Sequence, residues 1–463
     1  MQGVDIVKPI FERERVFLEE YLKVEIPANC WRNGMKIYKN HFSEKPIITF
    51  TVDPLKENKL ILKKHMQDDE IILTLEDEYQ LIEKELNRKE RESIDKTKEY
   101  ILNHLEYKRF ISISGGKDSD VMYQIVLKAI NELISEGYNI DNFDTQYGDN
   151  PHFNLIAFNT SNDTAQTYLH LKRDYGMSKA NIISPEVGFY DWIINVKDYF
   201  LPTVMVRNCC STYKEGQLNK VMGRKENTLI FLGMRSQESA KRAFYDWDLN
   251  EAYLKEKGKL NCSDNWKRFL PIVKWSDSEV WLYIIHNNIK FNEMYKMGFD
   301  RCGCLFCPFS KPYIDILIEY NYPKMFDRWM EIVAKNYEKK NVGRRLKWSV
   351  EEWTYGGKWK QSQSKEYEII SRKKTDERVK QLAELKGISE EIAAKYWEKE
   401  CECGKKLNPT DISMFLKIFG RNEGEEDNRQ YLCKKCLCEL LDWTKDDYQR
   451  WLNTFLNSDC NLF

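Results

Sequence analysis

The sequence predicts a doubly wound α/β fold built on a parallel sheet, and three observations carry that expectation. Short apolar runs alternate with helix-period segments between residues 107 and 290. The first run ends in a glycine-rich turn, Ser114-Gly115-Gly116-Lys117-Asp118-Ser119, and a helical pattern follows at once. The later polar motifs also fall just after apolar runs, and ligands of such sheets collect beyond the carboxyl ends of the strands.

Taken in order, YKRFISIS (107–114) reads as a strand and DSDVMYQIVLKAINELI (118–134) as the helix after it. FNLIAFNT (153–160) is a second strand, AQTYLHLKRDY (165–175) a helix, ANIIS (180–184) a third strand and TLIFLGM (228–234) a fourth. Helical crossovers between them imply right-handed parallel connections. Residues 1–100 stand apart as an N-terminal accessory region. They end in a charged helical stretch with apolar positions Leu81, Ile82, Leu86, Ile94, Tyr100 and Leu102. That stretch reads either as a partner module or as a lead-in packed on the main domain. The main nucleotide-binding domain is expected over 101–310, a helical, tryptophan-rich basic segment over 311–400, and a small metal-held module over 401–463.

The chain has 463 residues, 42% hydrophobic and 13% aromatic, which suits packed cores rather than disorder. Its 72 basic and 73 acidic residues nearly cancel, so contact with nucleic acid or membrane needs a local patch. The first thirty residues carry charges throughout without the apolar core of a secretory signal, and no stretch is apolar enough to span a bilayer. The expectation is a cytoplasmic protein with no membrane partner. Its 13 cysteines then favour metal binding over disulfides, the more so because most are clustered.

The turn at 114–119 is chemically explicit. Its two glycines let several backbone N–H groups face an anion, and the next helix adds its positive dipole end. Ser114 and Ser119 can donate hydroxyl bonds, Lys117 supplies charge, and Asp118 can cap the helix or help hold Mg²⁺. The spacing is not that of a Walker A loop. After the fourth strand, Gly233-Met234-Arg235-Ser236-Gln237-Glu238-Ser239 with Arg242 places an arginine where it can grip a phosphate or sulfate, with Glu238 to orient it or a ribose. A surface ion pair is the plainer reading of these charges. Trp275 and Trp281 read as core residues before ligand-stacking ones.

Cysteines form two sets. Cys209-Cys210 and Cys304-x-x-Cys307 offer four thiolates. Adjacent cysteines are awkward for one tetrahedral zinc but suit two corners of a [4Fe–4S] cube, while free thiols and zinc stay open. Cys302 stands beside the set and can replace a member. Cys401-x-Cys403 and Cys433-x-x-Cys436 read as two knuckles of a Cys₄ zinc ribbon that folds on its ion, with Cys438 as a possible substitute. Between 341 and 374, Arg344, Arg345, Lys347, Lys358, Lys360, Lys365, Arg372, Lys373 and Lys374 interleave with Trp348, Trp353, Tyr355 and Trp359. That is either a surface for RNA or a solvated face over core tryptophans.

The SGGKDS turn, the G-M-R-S-Q-E-S segment and Pro271-Ile272-Val273-Lys274-Trp275-Ser276-Asp277 with Val280-Trp281 together resemble the phosphoadenosine phosphosulfate (PAPS) reductase family and the related PP-loop ATP pyrophosphatases. The resemblance covers about residues 107–310, and C-C … C-x-x-C is similar to the cluster ligands of its iron–sulfur members. It implies an adenine nucleotide alpha hydrolase-like fold binding ATP or an adenylyl sulfate (APS or PAPS), and an enzyme of sulfur chemistry. The reading leans to ATP-dependent adenylation with sulfur transfer onto tRNA or DNA, aided by a sulfur-donor protein. The alternative is a sulfonucleotide reductase releasing sulfite. Its nucleophile would be Cys460, in a tail (Asp459-Cys460-Asn461-Leu462-Phe463) that lacks the glycine and histidine of the family's E-C-G-L-H ending. A structural thiol at Cys460, and a non-catalytic nucleotide-binding scaffold, are the remaining readings.

Overall fold

The computed structural model describes residues 7–66, 71–141, 147, 150–204, 206–222, 226–341, 346, 348–360, 380, 389–390, 401–405, 407, 409–419 and 431–456. The chain divides into two compact units, Met1–Ser362 and Gln363–Phe463.

The first unit opens with an antiparallel meander that sequence reading did not anticipate. Strands β1 (Val7–Pro9), β2 (Trp31–Asn33), β3 (Lys36–Tyr38), β4 (Ile48–Val52) and β5 (Leu60–His65) pair in chain order, and α1 (Glu12–Leu22) follows β1. Three of the five strands are only three residues long. An alternating pattern needs four or more residues to be visible. The charged stretch beyond is one 28-residue helix, α2 (Leu75–Leu102), started by a Thr74/Asp77 capping box. It buries Tyr79, Leu86, Ile94 and Ile101 and packs on the central helices, whereas Leu81 faces solvent.

The second sheet is wholly parallel. Its strands β6 (Lys108–Ser112), β7 (Asn154–Phe158), β8 (Ile182–Ile183), β9 (Thr228–Leu232) and β10 (Trp266–Phe269) lie in the order β10-β9-β6-β7-β8. Helix α3 (Lys117–Ser135) links β6 to β7, and α4 (Ala165–Tyr175) links β7 to β8. The chain then returns to the other side of β6. The carboxyl ends of β6 and β9 therefore flank the point where the strand order reverses, the crevice in which such sheets bind ligands.

Tryptophans close the core. Trp275 and Trp281 are fully buried, and the Trp275 indole N–H donates to Ser93 Oγ at 3.0 Å. Helices Pro312–Asn321 and Pro323–Asn341 follow the sheet, with Trp329, Trp353 and Trp359 buried behind them.

In the second unit, helices Pro409–Phe419, Lys434–Leu441 and Lys445–Leu456 enclose a small core of Met414, Phe415, Leu437 and Tyr448. Among the described residues no helix is long and apolar enough to cross a membrane.

Candidate functional site

The loop 114–116 leaves β6 and enters α3 through Gly116, with Gly115 at φ +75°. A Cβ on Gly115 would lie 2.9 Å from Thr167 Cγ2, so glycine serves both the positive φ and the close approach. The loop is tied from several sides. Ser119 Oγ donates to Gly116 O at 2.7 Å, Asn292 Nδ2 donates to Gly115 O at 3.1 Å, and Lys117 N–H donates to Tyr295 Oη at 3.0 Å. At the end of β9, Gly233 lets the strand end approach the first turn of α3, since a Cβ there would lie 2.8 Å from the Asp118 backbone.

Four charges converge where α3 begins. Lys117 Nζ lies 2.9 Å from Asp118 Oδ1 and 2.9 Å from Asp277 Oδ1. Arg235 Nε donates to Asp118 Oδ1 at 2.6 Å, Nη2 to Asp277 Oδ1 at 2.5 Å, and Nη1 to Trp275 O at 3.1 Å. Asp277 opens the helix Asp277–His286, whose Ser276/Glu279 capping box fixes its start. Burial pushes the Asp118 carboxyl up, but Lys117 and Arg235 outweigh that and hold it below the ordinary value.

This arrangement differs from the sequence reading. Arg235 is turned inward against two carboxylates rather than outward to a phosphate, and Lys117 shares the same partners. Two cations and two carboxylates cancel, which leaves the loop amides and the α3 dipole as the local attraction for an anion. Asp118 fits a Mg²⁺ ligand poorly, because its Oδ1 accepts from both Lys117 and Arg235 and its Oδ2 from Lys117 at 3.0 Å. Glu238 accepts from Arg235 N at 2.9 Å and pairs with Arg242, so it supports the turn after β9.

Beside the loop lies a cleft of about 220 Å³. The ends of β6 and β7 line it through Ser112–Ser114 and Phe158–Thr160, and Asp163, Lys214 and Cys302 complete it. Lys214 is the cation of this lining, four residues after Cys210 on a helical stretch spanning 208–222. Cys304 first, then Asp163, Cys210 and Cys307, hold its pKa above the ordinary value against burial. Sequence reading missed Lys214, although i,i+4 spacing from a cysteine was visible. It also missed Asp277, Tyr295 and Asn292 as partners of the loop.

The first cysteine set is brought together at this edge of the cleft. The Cys209 thiol is pushed up by its hydrogen bond to Cys210, by burial, and by the nearby Cys304 and Cys307. Cys210 is drawn down to about 6 by the bond from Cys209, with Lys214 and Arg207 adding to it against burial. Cys304 Sγ lies 3.5 Å from Thr160 Oγ1, and Arg301 Nη2 donates to Cys307 Sγ at 3.5 Å. Among the described residues, this set does not bring its sulfurs as close together as the second cysteine set does. Cys302 points elsewhere, toward Tyr295 and Lys117, and burial pushes its thiol well up.

In the second unit, Cys401, Cys403, Cys433 and Cys436 have all four sulfurs within 4.8 Å of one another. The Cys403–Cys433 separation of 3.7 Å matches the edge of about 3.8 Å that zinc–sulfur bonds of about 2.3 Å give in a tetrahedron. Gly404, at φ +78°, closes the first knuckle by donating to Cys401 O at 2.8 Å. The second pair differs from a ribbon knuckle: Cys433 caps the helix Lys434–Leu441 and Cys436 lies in its first turn. This four-cysteine group can hold a metal ion and fits a zinc-ribbon-like module. Cys438 lies outside the group.

The basic, aromatic segment resolves toward packing. Trp353 and Trp359 are buried, and Lys360 Nζ lies 2.7 Å from Asp315 Oδ1 and 2.8 Å from Ser310 Oγ. Tyr355 is exposed and Lys358 lies over the Trp348 ring. Arg344, Arg345, Lys347, Lys365, Arg372, Lys373, Lys374 and Cys460 lie outside the described residues.

Comparison with known proteins bears on the part of the chain that forms the parallel sheet. The phosphoadenosine phosphosulfate reductase domain matches residues 108–310, under half of the chain. Two uncharacterized proteins of Methanocaldococcus jannaschii are 27% and 23% identical over 54% and 61% of this chain, and the matches span 45% and 61% of those relatives. The adenosine 5′-phosphosulfate reductase of Neisseria meningitidis serogroup B is 33% identical over 21% of this chain and 35% of its own. Among solved structures, the PAPS reductase of Candida auris is 15% identical with a TM-score of 0.28, covering 43% of this chain and 82% of that one. The FMN adenylyltransferase of Candida glabrata is 15% identical with a TM-score of 0.32, covering 48% and 64%. Residues 108–310 thus match the phosphoadenosine phosphosulfate reductase domain, set within a longer chain.

Proposed function

We propose that the protein is an enzyme of sulfur chemistry that binds an adenylyl compound with its phosphates at Ser114–Ser119 and its reacting group toward the cysteines. One observation carries this reading: a single cleft is lined both by Ser112–Ser114, where the glycine loop begins, and by Lys214, beside the four-cysteine set. A substrate held by the loop amides would present its terminal anionic group to Lys214, whose charge has no role in the closed Lys117–Asp118–Arg235–Asp277 group. Asp163, whose pKa burial raises, lines the same space and accepts hydrogen bonds from Thr160 N and Oγ1.

Reduction of a sulfonucleotide suits this layout best. The thiolate of Cys460, the nucleophile that the sequence offers outside the two four-cysteine sets, would attack the sulfate sulfur to form an S-sulfocysteine, the S–O bond to the phosphate breaks, and the nucleoside phosphate leaves with that electron pair. An external dithiol then supplies two electrons, is oxidised to a disulfide, and releases sulfite. Loop amides stabilise charge growing on the leaving phosphate. Cys209, Cys210, Cys304 and Cys307 would hold a [4Fe–4S] cluster, which when bound supplies charge and redox capacity next to the reacting group. Cys401, Cys403, Cys433 and Cys436 would hold Zn²⁺, which supplies folding energy to their module.

Adenylation by ATP coupled to sulfur transfer onto a nucleic acid is the second reading, favoured by the departure of the Asp459–Phe463 tail from the reductase ending. Burial of Trp353 and Trp359 and the pairing of Lys360 remove part of the surface that a nucleic-acid acceptor would use. A melting-temperature screen with ATP, adenylyl sulfate and its 3′-phosphate, followed by assay of sulfite and pyrophosphate, separates the two. Sulfite from either sulfate compound supports the first. Nucleic-acid-dependent pyrophosphate release supports the second.

A further inference from the structure

The loop that carries Cys304 and Cys307 is anchored at both ends by side chains from outside the family-matched residues 108–310. At its start, Arg32 on β2 reaches across to the turn at 298–300. Its Nη2 donates to Gly298 O at 2.9 Å and pairs with Asp300, while its Nε donates to Glu14 Oε1 at 2.6 Å. Glu14 in turn pairs with Lys8, and all three side chains are fully buried. The Arg32 guanidinium also lies 4.5 Å from the centre of the Tyr313 ring. At the loop's end, Lys360 Nζ donates to Ser310 O at 3.2 Å, to Ser310 Oγ at 2.8 Å and to Asp315 Oδ1 at 2.7 Å.

Buried ion pairs are a costly way to gain stability, since apolar residues of like volume serve as well or better. They do fix position, because a buried charge tolerates few placements of its partner. The buried Arg32–Asp300 pair at one end, and the part-buried Lys360–Asp315 pair with its bonds to Ser310 at the other, bracket a short segment holding Cys302, Cys304 and Cys307. Gly298 and Gly303, both at positive φ, make the segment's own backbone a poor guarantor of its shape.

We propose that Arg32, through Asp300, and Lys360, through Ser310 and Asp315, are positioning residues for the cysteine loop, so that the N-terminal sheet and the segment 312–360 act as its two clamps. The consequence for metal retention rests on the reading that Cys209, Cys210, Cys304 and Cys307 hold an iron–sulfur cluster. The clamping itself does not.

The test uses the full-length protein and the variants Asp300→Asn, Lys360→Met and Lys360→Arg. Amide hydrogen exchange of the metal-free protein reads the loop directly. Both Asp300→Asn and Lys360→Met should speed exchange at 301–307 and leave β9 unchanged, and Lys360→Arg should restore most of the protection. In anaerobically reconstituted protein the first two variants should release iron to a chelator about tenfold faster than the wild type, the usual effect of removing an outer support of a metal site. Unchanged exchange at 301–307 in both variants overturns the proposal, as does faster exchange that is equally large in β9. Should the wild type take up no iron or sulfide, the cluster reading fails, and the exchange data still decide the clamps.

Discussion

Arg235 Nε donates to Asp118 Oδ1 at 2.6 Å, joining the end of β9 to the first turn of α3 across the crevice of the sheet. Both groups are largely buried, and Asp277 and Lys117 close the charge group around them. Arg235 therefore holds the 114–119 loop in register with the strand beside it. Arg235→Met leaves two carboxylates facing one lysine and should cost about 3 kcal/mol, the lower end for breaking a buried pair. Denaturant unfolding of the variant against the wild type measures it. A loss below a fifth of that size would mean the group is not a structural unit.

Gly233→Ala tests the same junction by shape instead of charge. The added Cβ would lie 2.8 Å from backbone atoms of Asp118, which cannot rotate away. Overpacking of this kind costs about 1–3 kcal/mol, and here it pushes on the first turn of α3. The expected outcome is a lower melting temperature together with loss of any nucleotide-induced shift.

His170 gives a pH dependence away from the cysteines. Its Nδ1 lies 2.7 Å from Asp174 and its Nε2 3.1 Å from Asp120. Burial pulls its pKa down, but the two carboxylates outweigh that and raise it above 6.5. A histidine whose folded pKa is raised contributes fully below the unfolded value and loses that contribution as pH rises through the folded one. Stability should therefore decline from pH 6.5 upward, and His170→Phe should flatten that limb in unfolding curves taken across the range.

The second unit should depend on metal. Its described core is small, and Cys433 precedes a helix of eight residues whose first turn holds Cys436. Metal analysis should find zinc bound at one ion per chain, and Cys433→Ser or a strong chelator should remove both the ion and part of the helical circular dichroism. Full helicity after complete zinc removal would contradict this.

Much of this was legible in the sequence, and the pattern of what was not is physical. The strands at 108–112, 154–158, 182–183 and 228–232 and helix Ala165–Tyr175 follow from apolar runs and period, because buried parallel strands and amphipathic helices advertise themselves. The strand Trp266–Phe269 did not, since WKRF places two cations within four residues. The N-terminal meander escaped because its strands are too short to show alternation. In the candidate site, the glycine turn at Ser114–Ser119 between a strand and a helix was readable from local sequence alone. The inward turn of Arg235 was not, because it depends on Asp277, which is 42 residues away in sequence. Lys214 and the buried Trp359 show the same limit: a side chain's partner, not its type, decides whether it faces substrate or core.

The central claim is that an adenylyl compound binds at the loop between β6 and α3. Titration calorimetry of the metal-replete protein with ATP, adenylyl sulfate and its 3′-phosphate tests it most directly. The account predicts saturable heat with at least one of the three, displaced by a second adenine nucleotide and absent in Gly233→Ala. No heat with any of them, from protein shown to be folded, would contradict it.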